Sequence, residues 1–129
     1  MRRRQPHSHL QIANYWLAWE TEHKQVPPWD EGGWDYGEPA CMACGFWLEK
    51  WDNETTVGKR WASSSLQKCH VTPLYLTHDD TISNMVLMCE RCHYGQPDSA
   101  DPQVTYDYMK AKNFWPDFFK WAQDRGLGT

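Results

Sequence analysis

The sequence contains no long apolar run. Nowhere in its 129 residues is there a stretch of the roughly 20 apolar residues that a membrane-spanning helix needs. The basic start at residues 1–4 leads into polar residues, whereas a secretory signal would continue into an apolar segment. We therefore expect an unexported, cytoplasmic protein with no membrane partner.

The chain also lacks an excess of positive charge. It has 13 Lys and Arg against 17 Asp and Glu, with a formal net charge of −4 and a pI of about 5.8. The overall balance therefore does not indicate a polyanionic partner such as nucleic acid. Several basic residues could still gather on one face after folding: Arg2, Arg3, Arg4, Lys50, Lys59, Arg60 and Lys68.

No internal repeat or low-complexity tract is present, and the length favours one domain over residues 1–129. Hydrophobic spacing predicts an N-terminal helix over residues 10–24, and the prolines and glycines of residues 26–39 predict an irregular loop. Residues 46–51, 61–72 and 82–88 are predicted to be extended, and a helix of one to two turns follows Cys89. Asp101 and Pro102 predict the start of a C-terminal helical extension over residues 101–125, interrupted near Asn113.

Aromatic residues are abundant, with nine Trp, six Tyr and four Phe. Large rings of this kind either fill a hydrophobic core or line a site where flat ligands stack. We expect most of them to pack in the core, and we keep ligand stacking as the alternative.

Four of the five cysteines form two Cys-x-x-Cys pairs, Cys41 with Cys44 and Cys89 with Cys92. Each pair presents two thiolates on a tight turn, and two pairs complete the tetrahedral set that structural zinc prefers. A redox pair and metal-free buried cysteines are the alternatives. Because four thiolates leave no open position for water, such an ion would stabilise the fold and would not catalyse.

The stretch Cys69-His-Val-Thr-Pro73 and the later stretch Ile82-Ser-Asn-Met-Val-Leu-Met-Cys-Glu-Arg-Cys-His93 resemble the HNH endonuclease superfamily, in its zinc-containing, four-cysteine branch. His70 and Asn84 are 14 positions apart, and Asn84 and His93 are 9 apart, as in that branch. The resemblance covers residues 41–97. It implies an α+β fold with a small ββα-metal, treble-clef-like core and structural zinc, flanked by N- and C-terminal helices.

The same resemblance implies a role for each of three residues. His70 would be the general base that takes a proton from water, His93 would ligate a catalytic metal, and Asn84 would brace the loop that aims the base. An imidazole suits the first role because its unperturbed pKa lies near 6.5. Taken singly, each residue also has an ordinary structural explanation as a packed or turn-stabilising side chain.

The sequence departs from the family at two positions of the site. Cys69 stands where the family usually has Asp, Glu or His, and a thiolate is a poor ligand for magnesium. If Cys69 and His93 shared a second metal, zinc or another late first-row ion would fit it best; burial in the core, or a nucleophilic or redox role, are the alternatives. His78 lies where a Gly-Gly pair is expected, and it is either a third ligand or a solvated loop residue.

Three functions are compatible with these features. The first is metal-dependent hydrolysis of phosphodiester bonds in DNA or RNA, which predicts a basic rim around His70. The second is a metalloenzyme of the same fold acting on a small molecule, which predicts an enclosed aromatic pocket over His70 and His93. The third is a non-catalytic zinc module that binds protein or nucleic acid and whose pocket holds no metal, which predicts that the two histidines lie too far apart or are occluded by Trp or Tyr.

Overall fold

The computed structural model describes residues 7–31, 34, 36–45, 56–113 and 123–126. Over this part of the chain the fold is mixed α+β with a small two-stranded sheet. None of the helices described there is long and apolar enough to cross a membrane. In chain order the elements are α1 (His9–His23), α2 (Val57–Ala62), β1 (Gln67–His70), α3 (Leu74–Thr77), a 3-10 helix (Ile82–Asn84), β2 (Met85–Met88), α4 (Glu90–Tyr94) and α5 (Pro102–Lys112).

Strands β1 and β2 form an antiparallel hairpin in which His70 lies opposite Met85. All four residues of β2 are apolar and buried, whereas β1 buries only Cys69 and leaves its other residues half-buried. Beyond the ladder, the backbone N–H of Val71 donates to the carbonyl oxygen of Asn84 at 2.7 Å. His70 therefore lies at the end of the hairpin, where the connecting loop begins.

Helix α1 packs against β2. Its start is fixed by Ser8 and Gln11, whose side chains each accept a hydrogen bond from the other's backbone N–H at 3.1 and 2.8 Å. The indole of Trp16 is buried and donates a hydrogen bond of 2.8 Å to the carbonyl oxygen of Met85. This bond satisfies a β2 carbonyl that the hairpin partner does not use, so α1 and the hairpin share one core.

Among the described residues, three tryptophans are buried in that core: Trp16, Trp29 and Trp61. The rings of Trp16 and Trp29 meet edge to face, with centroids 5.7 Å apart. These three side chains therefore pack within the protein, as expected for most of its aromatic residues.

The turn that carries Met42 lies along the edge of β2 that faces away from β1. The backbone N–H of Met42 donates to the carbonyl oxygen of Leu87 at 2.9 Å, and the N–H of Leu87 donates to Sδ of Met42 at 3.3 Å. Both backbone groups of Leu87 are thus occupied. The first Cys-x-x-Cys turn is thereby attached to the strand that precedes the second.

Helix α5 is hydrogen-bonded both to α4 and to the residue that follows β1. It begins behind Asp101, whose carboxylate accepts from the backbone N–H of Gln103 at 3.0 Å, as the Asp-Pro pair predicts. Thr105 donates to the carbonyl oxygen of Val71, and Tyr108 donates to that of Cys92, each at 2.7 Å. The helix therefore supports both the end of the hairpin and α4.

Two predicted strands are wrong in part. Residues 61 and 62 belong to α2, because Thr56 caps a helix there by accepting from the N–H of Lys59 at 3.3 Å, and the strand runs only from Gln67. Ile82–Asn84 forms a 3-10 turn before β2, closed by the N–H of Asn84 on the carbonyl of Thr81 at 3.0 Å. The predicted extended segment at 46–51 and most of the helix predicted after Asn113 lie outside the described residues.

Candidate metal centre and histidine cleft

The four paired cysteines come together at one point. The Sγ atoms of Cys41, Cys44, Cys89 and Cys92 all lie within 4.8 Å of one another. Zinc–sulfur bonds of about 2.3 Å in a tetrahedron place the sulfur atoms about 3.8 Å apart. The cluster is therefore positioned to hold one metal ion after small side-chain adjustments.

Local backbone geometry places these sulfur atoms. In the first turn the N–H of Cys44 donates to Sγ of Cys41 at 3.5 Å, and the N–H of Gly45 donates to the Cys41 carbonyl oxygen at 2.8 Å. Gly45 has φ of 80°. This backbone conformation is unfavourable for any residue that has a Cβ atom, but glycine adopts it readily. In the second turn Cys89 is the residue just before α4, so that Cys92 lies on the first turn of this helix.

The donor set fits a metal cation better than it fits four bare thiols. Hydrogen bonding with Cys41 and Cys44, together with burial, raises the pKa of Cys92 well above its ordinary value. Four thiolates packed this closely repel one another, and a bound divalent cation removes that cost because it binds the deprotonated form. No disulfide links any of the cysteines, all five of which lie within the described residues.

The second feature is an open cleft of about 170 Å³ beside the hairpin and α4. Its walls include His70 from the end of β1 and His93 from α4. His93 follows Cys92, and a helical step of about 100° separates the directions of their side chains. The residues lining the cleft are His70, Pro73, Leu74, His93, Gln96 and Asp98.

His70 is held by a carboxylate that sequence reasoning did not assign to the site. Nε2 of His70 donates to Oδ1 of Asp80 at 3.0 Å, and the two side chains are 21% and 15% exposed. Because an ionised carboxylate only accepts, this contact places the ring proton on Nε2 and leaves Nδ1 as the basic nitrogen of the neutral ring. The backbone carbonyl of Asp80 in turn accepts from Nε2 of His7 at 3.0 Å.

His93 is held by the amide of Gln67. Its Nδ1 lies 2.6 Å from Oε1 of Gln67, so Nδ1 donates and Nε2 carries the lone pair. Burial lowers the pKa of His93, and the nearby charge of His70 lowers it further. A lowered pKa favours the neutral ring, which is the form that binds metals.

Asn84 makes four hydrogen bonds across the loop between the strands. Its Oδ1 accepts from the N–H and from the hydroxyl of Thr72, both at 3.0 Å, and its Nδ2 donates to the carbonyl oxygens of Thr72 and Asp79 at 3.0 and 2.8 Å. These bonds use the full capacity of the amide. They connect the residues just after His70 with the residue just before Asp80.

The structure does not bring Cys69 or His78 into the cleft. Cys69 is fully buried, its Sγ donates to the Gln67 carbonyl at 3.3 Å, and burial raises its pKa far above the ordinary value. The charges of Cys41 and Cys89 raise that pKa further. His78 is exposed in the loop, with φ of 55°, and lies outside the cleft walls. Burial, one of the alternatives for Cys69, therefore agrees with the structure.

The residues that sequence reasoning missed are the partners of the histidines, Asp80 and Gln67, and the cleft carboxylate Asp98. Asp80 belongs to an Asp-Asp pair in the loop, and its carboxylate was the one available signal.

No family model, no curated protein and no solved structure matches this chain. Function is therefore inferred from the geometry of the two sites.

Proposed function

We propose that this protein is a metal-dependent phosphodiesterase of the HNH type that acts on DNA or RNA. The observation that supports it most is that His70 and His93 line one cleft, each with a side-chain partner that fixes which ring nitrogen is basic. The hairpin followed by α4, with a four-sulfur cluster beside it, is the arrangement expected of a ββα-metal core.

In this proposal His70 is the general base. Nδ1 of His70 takes a proton from water while Asp80 holds the Nε2 proton and stabilises the imidazolium that forms. The water oxygen then bonds to phosphorus as the bond from phosphorus to the leaving sugar oxygen breaks. Asn84 keeps the loop in place, so the carboxylate and the imidazole stay aligned through the reaction.

Two metal sites belong to the proposal. We assign zinc to Cys41, Cys44, Cys89 and Cys92, because four thiolates in this geometry suit it best and leave no open position. His93 would hold the second ion through Nε2. When bound there, a divalent ion neutralises charge on the phosphate and on the leaving oxygen.

The two alternatives make predictions that the cleft does not favour. A small-molecule enzyme should enclose its substrate among aromatic rings, but the described lining contains no Trp, Tyr or Phe. A purely structural zinc module should keep the two histidines apart, but both line the same cleft. The described lining also contains no Lys or Arg, so the basic rim expected of a nuclease is not found among these residues, and the preference rests on the paired histidines.

The test is nicking of supercoiled plasmid and cleavage of single-stranded DNA and RNA, with magnesium, manganese, zinc or nickel added. We expect the wild type to cleave at least one of these and His70→Ala to lose about 100-fold or more in rate, since general-base catalysis contributes about 10²–10⁴-fold. The matched control is His78→Asn, which changes an exposed histidine of the same loop and keeps a residue that tolerates its positive φ. Cleavage by His70→Ala at the wild-type rate would show that the base is assigned wrongly.

A further inference from the structure

One ligand of the HNH-type site has no counterpart at the expected position. By the resemblance, the residue before the base should help to hold the catalytic metal, but Cys69 is fully buried. Neighbouring strand residues face opposite ways, so the chain cannot present both Cys69 and His70 to the cleft without breaking β1. If the cleft binds a metal, its second protein ligand must come from another segment.

Among the described residues that line the cleft, Asp98 supplies the one carboxylate. It follows α4 on a segment anchored to the hairpin, because Nε2 of Gln96 donates to the carbonyl oxygen of His70 at 2.6 Å. Tyr75 donates from its hydroxyl to Oδ2 of Asp98 at 3.1 Å, which orients the carboxylate and leaves Oδ1 available. The side chain is exposed, so an ion can reach it from solution.

Gln67 completes the arrangement from the other wall. Its Oε1 accepts the Nδ1 proton of His93, which leaves the lone pair on Nε2. Metal-binding histidines generally donate their second ring N–H in this way, and the partner raises ligand basicity and fixes the ring. A glutamine in β1 thus selects the nitrogen that His93 offers.

We propose that the cleft binds a divalent metal ion through Nε2 of His93 and the carboxylate of Asp98, with Gln67 as the positioning residue for His93. This inference rests on the proposed function for its biological meaning but concerns metal binding alone. An imidazole and a carboxylate, with the remaining positions left to water and phosphate oxygens, suit magnesium, manganese or another hard to borderline ion. The site would therefore not require the soft ion that a Cys69 ligand demands.

The first experiment measures Mn²⁺ binding to zinc-loaded protein, by the loss of the free-ion signal in electron paramagnetic resonance. We expect one Mn²⁺ per chain in the wild type, and a loss of affinity of about tenfold or more in Asp98→Asn and Gln67→Leu. Gln67→Glu keeps the acceptor and should retain binding. Asp107→Asn, which removes an exposed carboxylate of α5, is the matched control and should leave binding unchanged.

The second experiment reads the tautomer of His93 from long-range proton–nitrogen correlations of the imidazole rings, without metal in the cleft. We expect the ring proton of His93 to lie on Nδ1 in the wild type. In Gln67→Leu we expect no single preferred tautomer. A proton on Nε2 would mean that the Gln67 amide is turned round, and it would overturn the proposal. So would equal Mn²⁺ affinity of Asp98→Asn and wild type, or no Mn²⁺ binding by the wild type.

Failure of this inference can be told apart from failure of the proposed function. His70→Ala should lose cleavage while keeping Mn²⁺ affinity, because it removes the base and leaves both proposed ligands. If the wild type binds Mn²⁺ through Asp98 but cleaves no nucleic acid, the metal site stands and the nuclease function falls. If it cleaves and Asp98→Asn binds and cleaves normally, the function stands and this metal site falls.

Discussion

Tyr108 on α5 donates a hydrogen bond of 2.7 Å to the carbonyl oxygen of Cys92, the last cysteine of the metal cluster. The same hydroxyl lies 2.8 Å from the position that a Cβ on Gly95 would occupy. Glycine at 95 therefore lets α5 approach the end of α4 closely. Through this contact the C-terminal helix supports the turn that carries Cys92 and His93.

The first prediction concerns that contact. Tyr108→Phe keeps the ring but removes the donor, so the free energy of unfolding should fall by about 1 kcal/mol. Urea denaturation of zinc-loaded protein measures it. Tyr94→Phe is the control, because Tyr94 is 92% exposed and its change should stay within about 0.5 kcal/mol. Equal effects of the two substitutions would show that the hydrogen bond contributes nothing.

The second prediction concerns the cysteine cluster. Purified protein should contain one zinc ion per chain, and a strong chelator should unfold it, because binding to four thiolates contributes directly to folding. Cys89→Ser should lose the metal, whereas Cys69→Ala should keep it, since Cys69 is not part of the cluster. Metal analysis and circular dichroism provide the readouts. A Cys69→Ala protein without zinc would contradict the assignment.

The third prediction uses Asn84. Asn84→Asp cannot donate to the carbonyls of Thr72 and Asp79 when ionised, and it places a buried charge against them. The folded-state pKa of the new carboxyl is then raised above about 3.9, its value when unfolded. The substitution therefore destabilises the protein most at pH values above the folded-state pKa of the new carboxyl. The loss of stability becomes smaller as the pH falls through that pKa.

Denaturation of Asn84→Asp at a series of pH values, compared with the wild type, checks this prediction. Asn14→Asp is the matched control, because Asn14 is exposed on α1 and uses its oxygen as an acceptor. Its stability difference from the wild type should stay nearly flat with pH. A flat difference for Asn84→Asp as well would contradict the role of the two donated bonds.

The fourth prediction concerns Asp79. The hydroxyl and the backbone N–H of Thr81 donate to its Oδ1 at 2.6 and 3.0 Å, and these bonds lower the pKa of Asp79. The stabilisation is present above the ordinary carboxyl pKa and is lost as the pH falls through the lowered one. Thr81→Val removes the stronger bond, so the pKa should move back toward its ordinary value. The pH dependence of the Asp79 carboxyl carbon shift in nuclear magnetic resonance measures this pKa. An unchanged titration in Thr81→Val would contradict the explanation.

The cysteine cluster could be predicted from the sequence because each half is local. Two residues between cysteines fix the distance within a turn, and only the meeting of the two turns is long-range. The capped starts of α1 and α5 are local in the same sense, since Ser8 and Asp101 act on residues two or three positions away. Such signals do not depend on the rest of the fold.

The partners of the histidines could not be predicted in that way. Gln67 and His93 are 26 positions apart, and Asp80 reaches His70 only because the loop is folded back by Asn84. The local composition predicts a strand at Trp61. The cap at Thr56 and the burial of Trp61 in the aromatic core favour a helix instead. In each case a tertiary contact decides what the local pattern leaves open.

The hydrogen bonds between Met42 and Leu87 have a consequence for aggregation. They occupy the outer edge of a two-stranded sheet whose strand β2 is entirely apolar, and so they shield it from strands of other chains. The same turn carries Cys41 and Cys44, so whatever releases the metal also loosens this cover. Protein stripped of its ion is therefore expected to self-associate through β2, faster at higher concentration.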